Sequence, residues 1–134
     1  MVARRYQDLI AFQTGTTFKR TLFRLVLASP GARSDLKFRS QILEAARSVP
    51  ANIAEGFRRY SPGDFARFLD FSLASLAEAE ERLADGIDLA YFRKDDCAEA
   101  FVLAKRCLTA SIRLKHTQLR YLQERRKQSR KRGS

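Results

Sequence analysis

The stretch Ser48-Val49-Pro50-Ala51-Asn52-Ile53-Ala54-Glu55-Gly56-Phe57-Arg58-Arg59 sets a proline and then an asparagine inside a run whose apolar spacing is helical. A proline in a helix interior removes one backbone hydrogen bond and clashes with the carbonyl four residues back, costing about 3 kcal/mol. Yet Leu36, Ile42, Ala45, Ala46 and Val49 before it and Ile53 and Phe57 after it keep a step of three or four residues. The spacing therefore predicts one helix kinked at Pro50, or two abutting helices. Pro50 frees the carbonyl of Ala46. Ser48 and Asn52, one turn apart, carry the polar groups to satisfy such acceptors, in a buried cluster with Ser75 or Glu78 of the following helix. Gly56 reads either as a point of close backbone approach or as a helix terminator.

Three further segments have the same period. The first runs from about Tyr6 to Ala28, with Phe12, Phe18, Leu22, Leu25 and Val26 on its apolar side, and ends at Ser29-Pro30-Gly31. The Pro50 segment then starts at Ser34 as N-cap, with Asp35 in the first turn. The third opens on Ser61-Pro62-Gly63-Asp64, a cap, a first-turn proline and a first-turn acid. Its stripe is Phe65, Phe68 or Leu69, Ser72, Leu76, Ala79, Leu83, Ile87 and Ala90. The fourth runs from about Lys94 to Gln123, with Phe101, Leu108, Ile112, Leu119 and Leu122 on one face. The reading is all-α: residues 1–123 form an antiparallel up-down-up-down four-helix bundle, and 124–134 form a basic, frayed or disordered tail. Phe23, Leu27, Phe71 and Leu73 fall off the core stripes and suggest self-association.

The 134 residues carry a net charge of +11, unevenly spread. Residues 94–134 hold 12 basic and 4 acidic side chains, and the rest hold 14 and 11. Such a gradient points to a polyanionic partner, and nucleic acid heads that class. The candidate contacts are Lys105, Arg106, Arg113, Lys115 and Arg120 on the last helix, then Arg125, Arg126, Lys127, Arg130, Lys131 and Arg132. Arg58 and Arg59 beside Tyr60 offer a smaller patch. No run between charged residues is long enough to cross a membrane, and no export signal is read at the N-terminus, so the expected location is cytoplasmic. Cys97 and Cys107, about 15 Å apart if on one helix, are too distant for a disulfide. With His116 as the one histidine they make no convincing zinc site, so no metal and no cofactor are expected. Phosphate loops and hydrolase motifs are absent, and the chain reads as no enzyme. Glu55 and Glu78, taken to face each other across two helices, are read as structural carboxylates; a catalytic role for Glu55 or His116 is the minority alternative.

The central residues also resemble a family. Gln41, Ser48, Pro50, Asn52, Ile53, Ala54, Glu55, Gly56, Arg59 and Ser61, followed by Phe68, Leu69, Ser75, Leu76 and Glu78, match the pattern of the four-helix-bundle family that includes the 23S rRNA-intervening sequence proteins. Asp8-Leu9 fits its usual start, and the resemblance covers about residues 6 to 122. Glu44 stands where the family often has arginine, and Ala74 where it has glycine. The resemblance implies homopentamers, five bundles around an axis. It also implies kinship with an accessory protein of diversity-generating retroelements, which binds a reverse transcriptase and nucleic acid. Two functional readings follow: an accessory or scaffold that binds RNA or DNA electrostatically, or an interaction scaffold that docks a partner protein such as a reverse transcriptase.

Overall fold

The computed structural model describes residues 3–133, and every regular element among them is helical. A 3-10 turn at Tyr6–Asp8 leads into α1 (Ile10–Ala28), and a second, Lys94–Cys97, stands where the last helix was expected to begin. A five-residue helix, α2 (Pro30–Ser34), then precedes α3 (Leu36–Arg58), α4 (Pro62–Asp88) and α5 (Ala98–Arg132). The four long helices surround one core, with α1 and α4 each packed against both α3 and α5. Phe18, Leu22 and Val26 meet Ile42, Val49 and Ile53 there, together with Leu69, Leu76 and Leu83.

Two boundaries differ from the sequence reading. Ser29-Pro30-Gly31 ends α1 but also starts a helix: the Ser29 hydroxyl accepts from the Ala32 amide at 3.2 Å, and proline's fixed φ suits the first helical position. Ser34 thus closes α2, and the cap of α3 is Asp35. Asp35 serves because its carboxylate has two jobs. One oxygen accepts from the Phe38 amide at 3.1 Å and the other from the Tyr91 hydroxyl at 2.7 Å. The Tyr91 hydrogen bond, then the Phe38 amide, holds the Asp35 carboxyl below its ordinary range, and the same bond to Asp35 pushes the Tyr91 phenol up. The lowered carboxyl contributes stability that is present above its unfolded value and lost as pH falls through the folded one. The raised phenol contributes stability that is complete below its unfolded value and lost as pH rises through the folded one. Tyr91→Phe is therefore expected to lower the melting temperature at neutral pH. It is also expected to flatten the wild-type decline below pH of about 4 and above about 10. Thermal melts of both proteins across that range check it.

Pro50 lies inside an unbroken α3 and is buried. The Asn52 side-chain amide donates to the Ser48 carbonyl at 2.8 Å, so Asn52 does satisfy a backbone acceptor beside the proline. The partner from the next helix is neither Ser75 nor Glu78. It is Ser72, 1% exposed, whose hydroxyl donates to the Val49 carbonyl at 2.7 Å. Ser75 is half-buried and Glu78 is exposed, because the register of α4 turns the Phe65–Leu69–Ser72–Leu76 stripe inward. Val49 lies inside α3, so its carbonyl keeps its helix partner and the Ser72 hydroxyl is a second donor to it; Ser72→Ala removes one buried hydrogen bond and is expected to cost about 1 kcal/mol in urea unfolding. This exceeds the effect expected for the half-buried Asn52→Ala.

The end of α4 is a second place where the stripe reading stops short. Ala90, assigned to the core from spacing, is exposed and has φ 59°. The Tyr91 amide donates to the Gly86 carbonyl at 2.9 Å and the Ala90 amide to Ile87 at 3.0 Å, the paired bonds of a Schellman turn. Its left-handed position favours glycine, since a Cβ there crowds the following carbonyl. Ala90→Gly is expected to raise stability by about 0.5–1 kcal/mol, read from the shift in denaturant midpoint. Behind this turn, a Cβ on Gly86 would come within 2.4 Å of the Phe92 ring, so the bare backbone of α4 is what lets Phe92 close the end of the core.

Candidate nucleic-acid interface

Helix α5 carries the candidate site, and its 35 residues make it about 52 Å long, against about 40 Å for the 27 of α4. Its buried side is Ala100, Leu103, Ala104, Cys107 and Ser111. The face expected to be buried is instead a flank: Leu108, Ile112 and Leu119 remain 39%, 37% and 38% exposed, and Phe101 is half-buried. Small residues explain the exchange. Alanine, cysteine and serine let α5 lie close to α1, where Cys107 Sγ is 3.6 Å from the Ala11 carbonyl oxygen. A helix seated on its small side leaves its large residues outside. Burial pushes the thiols of Cys97 and Cys107 up, and both are free and buried among core side chains.

On the solvent side of α5, Arg106, Arg113, Arg120 and Lys127 recur every seventh residue and are all exposed. Seven residues fall about 20° short of two full turns, so these four form one slowly winding stripe, about 32 Å long. None of the four joins an ion pair among the described residues. Lys105 flanks the stripe, and Glu124 is the acid that interrupts it. Each of these cations is identifiable in the sequence, and the period of seven is what aligns them on the helix.

The other candidates separate into engaged and projecting groups. Lys115 holds α5 to α4 through Asp70 at 2.6 Å. Arg59 pairs with Glu55 at 3.0 Å and lies 4.9 Å over the Phe68 ring, while Arg58 lies 5.0 Å over Tyr6. These three make contacts within the bundle, so the Arg58–Arg59 patch is mainly an anchor for the α3–α4 turn. Tyr60 beside it is 97% exposed. Beyond Leu122, which packs near Gly63 at the start of α4, the chain continues as exposed helix to Arg132. The frayed or disordered tail expected from residue 124 is instead helical through Arg132. Helical geometry there gives Arg125, Arg126, Lys127, Arg130, Lys131 and Arg132 fixed directions.

A groove of about 620 Å³ lies between the start of α1 and the middle of α5. Leu9, Ile10, Ala110 and Leu114 supply apolar surface, and Lys105, Arg106 and Arg113 line it alongside three threonines. Ile10 is 66% exposed there. No local pattern announces this groove, because α1 and α5 are distant along the chain.

The paired-carboxylate arrangement is not formed. Val49 meets Ser72, and Gly56 meets Phe65, so α3 and α4 run antiparallel. Glu55 and Glu78, each six residues beyond the Val49–Ser72 contact in its own helix, move apart in opposite directions by about 18 Å in total. Glu55 pairs with Arg59, and Glu78 is exposed. His116 is exposed on α5. Among the described residues no cluster of histidine, cysteine and carboxylate groups is arranged to hold a metal, and no helix is long and apolar enough to cross a membrane.

No curated protein matches the chain. A family model described as 23S rRNA-intervening sequence protein matches residues 7–112, which take in α1 to α4 and the first part of α5. The motif around Pro50, the Ser72 tie and the whole buried side of α5 fall inside that match, and the chain belongs to the 23S rRNA-intervening sequence protein family.

Proposed function

We propose that this protein is a non-enzymatic, self-associating helical bundle that binds RNA or DNA through phosphate contacts, as an accessory or scaffold of a nucleoprotein complex. The observation that carries this reading is the stripe Arg106–Arg113–Arg120–Lys127, exposed along one side of α5 and outside every ion pair among the described residues. Cations outside ion pairs can exchange counterions for phosphate, and among the described residues the only other side-chain tie of the four is the 3.4 Å hydrogen bond that Arg120 donates to the Thr117 hydroxyl. Up-down-up-down bundles assembled as five copies, as the family resemblance implies, would repeat the stripe around a ring and add avidity. Leu108, Ile112 and Leu119 on α5 and Phe71 on α4 supply exposed apolar surface for such association.

The test is a salt titration of binding to a labelled duplex. Four phosphate contacts correspond to a slope of log affinity against log salt of about −3.6 on a DNA duplex. Affinity that does not change with salt would refute the reading. The second reading, a scaffold that docks a protein such as a reverse transcriptase, is favoured by one observation, the apolar groove between α1 and α5. Under it, the uncharged truncation Ile10→Ala would weaken partner binding and leave nucleic-acid affinity intact, since it adds no charge beside Arg106 and Arg113.

A further inference from the structure

The end of α5 has a charge geometry that a flexible tail would lack. Residues 123–132 extend past the Leu122–Gly63 contact as exposed helix, about 15 Å long. Their six cations fall on three ridges. Arg126 and Arg130 are one turn apart on the first, Lys127 and Lys131 on the second, and Arg125 and Arg132, seven residues apart, on the third. The ridges are roughly 100–130° apart around the axis. No apolar side chain lies on this segment, so no side of it is adapted to pack on protein.

A rod with cations on all sides is poorly matched to a flat row of phosphates, which only one ridge can reach. It matches a channel whose two walls are both phosphate. The major groove of B-form duplex is such a channel, about 12 Å wide, and admits a helix of about that diameter. The major groove of A-form RNA is deep and too narrow for this. Two ridges would meet the two backbones, and the third would face the base edges, where arginine hydrogen-bonds guanine. Like charges one turn apart oppose each other in the free helix, and phosphates on both sides remove that repulsion.

We infer that the α5 extension, residues 123–132, is a major-groove probe and that the preferred polyanion is B-form duplex DNA. This rests on the nucleic-acid reading above and narrows it. The experiment compares the full chain, a chain ending at Gln123, and the double variant Arg126→Gln/Arg130→Gln. Each is titrated by anisotropy against a 20-base-pair DNA duplex, an RNA duplex of the same sequence, and the single strands of each. The full chain is expected to favour duplex DNA at least tenfold over duplex RNA. It should also protect guanine N7 from methylation, since that atom lies in the major groove. Truncation should erase both effects and leave weaker, salt-sensitive binding by the stripe cations that remain, Arg106, Arg113 and Arg120. The double variant should reduce the preference without altering helicity or assembly size. Equal affinity for both duplexes, a preference that survives truncation, or binding without N7 protection would each overturn this inference and leave the broader reading standing. Failure to bind any of the polymers would overturn both.

Discussion

Gly56→Ala is expected to destabilise the bundle by about 2–3 kcal/mol, a loss of roughly 8 °C in melting temperature. A Cβ at this position would come within 2.8 Å of Phe65 Cδ1, 2.9 Å of Phe68 Cβ and 3.3 Å of the Phe65 carbonyl oxygen. Two of those atoms have little freedom to move. The Phe68 Cβ is fixed by its own backbone, and the carbonyl belongs to α4 itself. The Phe65 ring is confined against Phe57, with ring centroids 6.2 Å apart. Relief therefore requires that α3 and α4 separate, which strains the Ser72–Val49 hydrogen bond two turns away. On an exposed helix face the same substitution stabilises, because alanine restricts the unfolded chain more than glycine does. The sign of the measured change thus distinguishes close approach from a helix-terminating role, and stabilisation by Gly56→Ala would sink the packing account. Both proteins are compared by urea unfolding, with the slope checked for constancy.

The second large effect concerns binding. The variant Arg106→Gln/Arg113→Gln/Arg120→Gln/Lys127→Gln removes the α5 stripe and leaves the core face of that helix untouched. Affinity for a duplex at moderate salt is expected to fall on the order of 10²–10³-fold, and the salt slope to become shallower by about 3–4. Helicity should not change, since glutamine and arginine have similar helix propensity. Lys115→Gln is the informative control. It removes one positive charge from the same helix, but one already paired with Asp70 at 2.6 Å. It should change binding little and stability modestly. If Lys115→Gln weakens binding as much per charge as the stripe variant does, the interaction follows total charge and the stripe has no special place in it.

The fold was legible wherever a local rule governs. Ser61, Pro62 and Asp64 start α4 as expected, with the Ser61 hydroxyl accepting from the Asp64 amide at 3.4 Å, because a cap depends on three or four consecutive residues. The Leu69–Ser72–Leu76–Ala79–Leu83 stripe was legible because no competing stripe of comparable size exists on α4. The cap at Asp35 was displaced by one residue, since it depends on Tyr91, far along the chain. The candidate site was legible in part. Its cations were identifiable one by one, but their division into engaged, aligned and projecting groups was not. Arg59 is engaged because Glu55 lies one turn behind it and Phe68 comes across from α4. Only the first of those neighbours is visible in a linear reading.

Helix α5 shows where local information ends. Periodicity establishes which of its residues share a side: Phe101, Leu108, Ile112 and Leu119 on one, Ala100, Leu103, Ala104, Cys107 and Ser111 on another. Composition, caps and the charge gradient likewise follow from the chain alone, because each is a property of neighbours in sequence. Which side faces the core does not, because burial goes to the surface that fits. The smaller side chains win on α5 by letting α1 and α4 approach it closely at once, and the larger ones are left for solvent or a partner. The cationic stripe is exposed for the same reason: it lies opposite the face that the packing selected.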